Sequence, residues 1–395
     1  MQNKPVKFYN FTIVGAGASG LWMAYSLLKQ GLLENKTLII IENDKKKAND
    51  RTWCYWAKEK LTHHPLESKI WSYSQNASKH NKNGNLYPYN YYHIASNDFY
   101  TQIKAELNQS KNIYWLYSTY QSNFNGEVKT ADGLWKTDKL FLSSVSKSQN
   151  IFNDNDLKSY LNNHSDKHIL LWQSFIGWRI KTKKPVFDES KMTMMNFDIP
   201  QNGHTQFVYE LPFTPQESLI ELTRFSKEKL TIPEAQTILK DYLTKFNCEY
   251  NIQNIEIGAI PMTTHFDNKR KFISKDETVI YLGTIAGALK PTTGYGFKNM
   301  ANYAQQLAFA ISKNANLPTH HRKWRFKVYD ILLLQILDQN PDRGKEIFQT
   351  LFKTQTTPKI LRFLDEKTTI WEEISIFSKL PILLFLNSLL KYIFR

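Results

Sequence analysis

The sequence predicts an α/β fold joined to an antiparallel β domain, with a helical C-terminal region. Three observations carry this. "FTIVGAGASGLWMAYSLLKQG" (11–31) reads as strand, glycine turn and helix. Residues 168–226 hold successive runs whose apolar residues recur at period two, as in half-buried strands. From "HRKWRFKVYDILLLQIL" onward, the last eighty or so residues are amphipathic at helical spacing.

The first element is a Rossmann-like unit. In Gly15-Ala16-Gly17-Ala18-Ser19-Gly20, Gly15 permits the tight turn and Gly17 lets backbone approach a pyrophosphate. Gly20 lets the helix pack closely on the strand, and the pyrophosphate sits at the positive helix end. A second strand, "KTLIIIEN", ends in Glu42, 22 residues after Gly20, where an acid accepts hydrogen bonds from an adenosine ribose. A glutamate there, this near the N-terminus, points to FAD rather than NAD. In "NDRTWCYW" (49–56), Arg51 is placed to contact a phosphate or ribose. Trp53 and Trp56 read equally as pocket walls or as core.

The middle of the chain alternates. "NLYPYNYYHI", "NIYWLYSTYQSNF" and "LWKTDKLFLSSV" suggest strands, and the polar run 146–165 suggests a loop or flap. "HILLWQSFIGWRIKT", "MTMMNFDIP", "TQFVYELPF" and "ESLIELTRFS" then form an antiparallel set, with "TPQE" as a hairpin loop. Leu219, Glu221, Thr223 and Phe225 fall on one face of the last strand, opposite Ile220, Leu222 and Arg224. Glu221 thus sits on a largely apolar face, where a carboxylate is costly to bury. Either it serves chemistry, or it is satisfied by a cation such as Arg179 or Arg224, and Arg224 points the other way. Phe207, Tyr209, Leu211 and Phe213 share a face of the adjoining strand. Tyr209 and Phe225 are candidate walls of a substrate pocket, though each taken singly reads first as core.

A second glycine turn follows in "TVIYLGTIAGALKPTTGYGFKNMANYAQQLAFAI" (278–311). Strand, turn and long helix in this order read either as the second glycine turn of an FAD protein, which brings backbone to the ribityl-phosphate and flavin, or as a structural turn alone. Gly283, Gly287, Pro291, Gly294 and Tyr295 are the candidate contacts. The expected division is 1–56, 100–160 and 255–315 for the FAD-binding domain, 57–99 and 161–254 for the inserted substrate domain, and 316–395 for the helical region.

Composition bounds the rest. The formal charge of +15 suits an anionic surface, either nucleic acid or the cytoplasmic leaflet, and no basic-aromatic motif supports nucleic acid. The two cysteines, Cys54 and Cys248, offer no metal spacing and no disulfide framework, which fits a reducing cytoplasm. No signal peptide is evident. No apolar run reaches the roughly 18 to 20 residues of a spanning helix. The tail "KLPILLFLNSLLKYIFR" (379–395) reads as an interfacial helix flanked by Lys379, Lys391 and Arg395, or as a core-docking one.

The glycine turn, "NDRTWC", "FIGWRIKTKKPVFD", "FVYELPFTPQESLIELTRFS", "EIGAIPM" and "LGTIAGALKPTTGYGFKNM" occur in this order. In that order the chain resembles the FAD-containing bacterial lycopene β-cyclases over nearly its whole length. The resemblance implies a flavin monooxygenase-like fold. It implies a non-redox reaction in which linear ψ-ends of lycopene close to β-ionone rings, with FAD kept reduced by NAD(P)H. The family's catalytic carboxylate falls on Glu221, in "LIELT". It further implies acyclic carotenoid ends as substrates and room for association with other carotenoid enzymes. With a substrate that lives in the bilayer, the lack of a spanning helix, the basic surplus and the apolar tail lead us to expect peripheral attachment at the cytoplasmic face of the inner membrane. Relatives more often carry Asp second in the segment that here reads "MNFD". Asn196 stands there instead, and Asp198 does not inherit its role. The rival reading is an FAD-dependent hydroxylase or oxidase. Such flavoproteins usually carry Gly-Asp where this chain has Gly283-Thr284.

Overall fold

The computed structural model describes residues 7–43, 52–62, 66–76, 84–143, 169–264, 273–318 and 322–394. Arg51 and the polar run 146–165 lie outside the described residues.

The N-terminal strand Lys7–Val14 is central to a mostly parallel sheet, between Leu38–Glu42 and Gly133–Leu142. Ile113–Tyr117 extends one side in parallel, and Val279–Tyr281 pairs with Gly133–Leu142 on the other. Leu38–Glu42 is buried along its whole length, as a strand covered on both faces must be. One face packs on helices Ala18–Lys29, Ser96–Leu107 and Phe297–Ser312 through Trp22, Phe99 and Phe297. The other is covered by Val128 and Trp135 of the meander Tyr120–Leu142.

The second sheet is antiparallel along its long strands. Its order is Tyr250–Met262, Leu171–Thr182, Glu217–Ser226, Thr205–Thr214, Lys191–Asn196 and Tyr73–Ser74. Thr205–Thr214 and Glu217–Ser226 form the expected hairpin. Ile220 and Leu222 face helix Ile232–Leu243, which a capping box at Thr231 and Glu234 starts. The opposite face looks toward the nucleotide-type unit and the C-terminal helices. The stretch 255–262, assigned above to the FAD-binding domain, belongs instead to this sheet, because Tyr250–Met262 pairs with Leu171–Thr182 throughout. Thr52–Ala57 also leaves the first sheet, joining Asn90–Ala95 and Lys69–Trp71 in a small third one.

The C-terminal region is helical, as expected. Trp324–Gln339 lies under the second sheet, with Leu334 and Leu337 against Phe207 and Phe225. Ile382–Ile393 docks on it where Ser388 donates to the Leu332 carbonyl at 3.2 Å. Among the described residues no single helix is long and apolar enough to cross a membrane. Ile370–Phe377 and Ile382–Ile393 pass that test only together, bent by 116°.

Candidate active site

The first glycine turn is closed by contact. A Cβ on Gly20 would lie 1.9 Å from the Gly15 carbonyl oxygen, so the helix approaches the strand only because position 20 lacks a side chain. Gly15 adopts φ +92°, in the region that favours glycine. A Cβ on Gly17 would meet nothing within 4 Å, so the turn is open on the side where a phosphate would arrive. Glu42 is buried at the end of its strand, and its carboxylate accepts from the Ala16 amide at 2.7 Å and the Asn43 amide at 2.9 Å. It therefore anchors the turn itself, a task beyond the ribose contact expected of it.

The second glycine segment meets the first. A Cβ on Gly283 would lie 2.7 Å from Ser19 Oγ, so Ser19 of the first helical turn abuts the second turn. Gly283, Gly287 and Gly294 all have φ near +67°, and Gly287 ends a short helical turn, Gly283–Ala286. Pro291 opens the tight turn before Gly294. A Cβ on Gly294 would come 2.8 Å from Gln173 Oε1, a buried acceptor without a hydrogen-bond partner among the described residues. The open face at Gly17 and this orphaned acceptor fit a bound dinucleotide that supplies polar partners to both.

Next to this segment lies a cavity of about 120 Å³ between the second and third sheets, walled by Trp53, Phe175, Tyr209, Tyr295 and Phe297. Glu221 enters it from the second sheet. By surface area the residue is half-buried, and it faces this hollow inside the protein. Burial, then the charge of Glu256, push it up to about 8, against a hydrogen bond of 3.1 Å from Thr223 Oγ1. A carboxyl in this state carries its proton at neutral pH. Arg224 instead bonds Gln206 at 2.8 Å and Glu234 at 3.1 Å on the far face. Arg179 pairs with Glu217 at 3.7 Å. Neither cation neutralises Glu221.

The Tyr295 hydroxyl lies 2.8 Å from that of Tyr91 and 3.4 Å from that of Tyr209. Burial raises all three phenols, so they stay neutral beside the acid. Trp56 sits edge-on to Tyr295 with ring centroids 4.7 Å apart. Trp53 stacks on Phe297 at 4.9 Å. A second cavity of about 250 Å³ lies across Tyr295, bounded by Lys298 and Asp365. Lys298 ties the Trp56 carbonyl, at 2.7 Å, to Asp365, at 2.6 Å, and so joins the helical region to the site.

Phe225 does not wall this cavity. It lies four residues beyond Glu221, about 13 Å along the strand, and packs on Phe207 and Phe348 at 5.4 and 6.1 Å. Asn196 and Asp198 are also elsewhere, in a surface groove with Glu210 and Lys245. There Asn196 donates to the Tyr242 hydroxyl at 3.0 Å and accepts from the Asp198 amide at 2.8 Å. Sequence reasoning missed Thr52, Tyr91, Gln173 and Glu256. Their one shared signal is an address beside the glycine and tryptophan motifs or in a strand partner, and pairing alone reveals it.

Comparison with known proteins agrees with this architecture. A flavoprotein/dehydrogenase from Cytophaga hutchinsonii superposes with a TM-score of 0.55 at 10% identity, covering 98% of this chain and 100% of that one. A geranylgeranyl bacteriochlorophyll reductase-like protein from Thermoplasma acidophilum gives 0.52 at 11%, covering 97% and 96%. At such identity these establish the fold. In sequence, lycopene beta-cyclase of Pantoea ananas is 28% identical over 156 residues, which is 38% of this chain and 39% of that protein. The aligned part is thus well under half the length of that relative. The family described as "Lycopene cyclase protein" matches residues 10–390, nearly the whole chain, and the chain belongs to that family.

Proposed function

We propose that this protein is a lycopene β-cyclase, closing the linear ψ-ends of lycopene into β-ionone rings and giving β-carotene by way of γ-carotene. The observation that carries this is Glu221, a protonated carboxyl in an aromatic cavity beside two glycine turns of flavoprotein type. A terminal isoprenoid double bond is a very weak base, so it needs a strong, dry acid and a shelter for the cation that follows. Glu221 delivers its proton to that double bond. The neighbouring double bond closes on the tertiary cation, and loss of a ring proton to a base leaves hydrogen count and redox state unchanged.

The rings of Tyr209, Tyr295 and Trp53 line the cavity, and an aromatic face presented to a desolvated cation is worth about 2 kcal/mol. Gly15–Gly20 and Gly283–Tyr295, with Ser19 between the two turns, would hold FAD, which in its reduced anionic form, maintained by NAD(P)H, would supply a further negative charge. The walls exclude water. The rival reading, a flavin-dependent hydroxylase or oxidase of a hydrophobic substrate, draws on the same fold. Expression in a lycopene-making bacterium decides between them. Cyclised pigment of unchanged mass supports the cyclase, and pigment heavier by oxygen supports the rival. Unaltered lycopene overturns the cyclase reading.

We further propose peripheral attachment to the cytoplasmic face of the inner membrane. The support is the exposed apolar series of the last two helices, including Trp371 at 80% and Leu383 at 77%, together with the basic surplus and a substrate that resides in lipid.

A further inference from the structure

Gly177 lies in the strand between two acids. It pairs with Glu221 on one side and with Glu256 on the other. Residues directly opposite in antiparallel strands share a face, so both carboxyl side chains rise from the cavity face with only the glycine between them. Two strand spacings put their backbones about 10 Å apart, and the space a side chain would fill is taken by Leu219, whose Cδ1 would lie 3.0 Å from a Cβ at Gly177, and by Glu221 itself. A Cβ at Gly177 would come within 3.3 Å of Glu221 Cβ and Cγ.

Glu256 breaks the pattern of its own strand. It is 8% exposed, while its neighbours Ile255 and Ile257 are 48% and 56% exposed. A strand placed by hydrophobic burial alone would turn the isoleucines inward. Thr52 Oγ1 donates to Glu256 Oε1 at 2.6 Å, and Oε2 has no hydrogen-bond partner among the described residues. Burying a carboxylate with an oxygen unpaired is costly, so the register keeps Glu256 inside against its local preference.

We propose that Glu256 is a positioning residue, set across Gly177 from Glu221 so that charge on Glu256 keeps on Glu221 the proton it delivers. This rests on the reading of Glu221 as proton donor. The surroundings divide the pair. Glu256 is raised by burial but drawn down by Thr52 and by the Arg179 charge. Among the described residues no cation acts on Glu221 in this way, and it is raised by burial and then by the charge on Glu256. Of the other groups facing Glu221, burial raises the phenols of Tyr209, Tyr295 and Tyr91 and the thiol of Cys54, so all are neutral.

The test is an infrared titration of the flavin-loaded full chain in detergent. The C=O stretch of the protonated carboxyl is assigned to Glu221 by its loss in Glu221→Gln. In the native protein that band persists to about pH 8, and Glu256 titrates in a separate step before it. In Glu256→Gln the midpoint of the Glu221 band falls by on the order of one pH unit, from removing one charge at about 10 Å. In Glu256→Asp, which keeps the charge, it falls less. The alkaline limb of cyclisation moves with the band. An unmoved or raised midpoint in Glu256→Gln overturns the proposal. So does a single joint titration step in the native protein, which needs no variant to fold. If the band shifts as stated but Glu221→Gln still cyclises, the carboxyl pair stands and the assignment of the donor falls.

Discussion

Tyr209 and Glu221 stand directly opposite each other on the two strands of one hairpin, and both enter the same cavity. A phenol that stays neutral and a carboxyl that stays protonated are thereby fixed side by side by backbone pairing. The polarity of the site is set by register, so a slip of one residue would turn both groups to the opposite face.

Glu221→Gln keeps the shape and removes the donor proton, so cyclisation should fall at least about a hundredfold, within the span attributed to general acid catalysis. The native rate should fall as pH rises through about 8, where the carboxyl ionises. Stability carries the same sign. The folded state holds this proton between the ordinary value of 4.5 and about 8, where the unfolded chain has lost it. The native protein therefore loses stability as pH rises across that window, by at most about 1.4 kcal/mol per unit. Glu221→Gln should escape that slope. Thermal melts of both proteins from pH 4 to 9 check this, and parallel curves would mean that Glu221 is not buried as an acid.

Tyr209→Phe retains the ring and gives up one long hydroxyl contact, 3.4 Å to Tyr295. Turnover should stay within about tenfold, since one neutral hydrogen bond is worth about 1 kcal/mol. Tyr209→Leu removes the π face as well, and about 2 kcal/mol of cation stabilisation corresponds to roughly a 30-fold loss in kcat. Equal losses in the two variants would show that the hydroxyl, not the ring, is what matters.

Gly17 and Gly20 should separate folding from cofactor binding. At position 20 an alanine Cβ would lie 1.9 Å from backbone, and Gly20→Ala should fail to accumulate as folded protein. At position 17 the added Cβ meets no protein atom within 4 Å. Gly17→Ala should therefore melt close to the native temperature, losing at most about 1 kcal/mol at this helix N-cap. It should nevertheless purify with much less flavin, read from visible absorbance. Full flavin occupancy in Gly17→Ala would argue against a phosphate at this turn.

Local rules made the glycine turns, the hairpin and the apolar setting of Glu221 readable, because each depends on residues close in sequence. The partners were not readable. Glu256 reaches Glu221 only through Gly177, 79 residues before it, and nothing local announces that pairing. Phe225 shared a face with Glu221 yet belongs to another part of it, because alternation fixes side and not distance along the strand. The role of Glu42 was half visible: its position marks a ribose partner, while its bond to the Ala16 amide appears only once the turn is folded.

The tail offers a prediction in which packing and docking can be parted. Helix Ile382–Ile393 has two unlike faces. Ser388 is buried against Leu332 and Gln335, whereas Leu383, Leu386 and Leu390 are 77%, 47% and 53% exposed. Their spacing of three and four puts the leucines on one stripe. A chain truncated near Lys379 would lose the Ser388 contact as well, so point changes discriminate better. Leu383→Glu with Leu390→Glu leaves the docked face intact and places two charges where lipid would lie. The double variant should keep the native melting temperature but move from the membrane pellet to the supernatant, and salt should wash off whatever remains. An interfacial helix held by apolar burial plus basic flanks requires this outcome. Unchanged pelleting with unchanged stability would place the membrane contact on another surface, and a fall in stability alone would make the exposed stripe a packing surface.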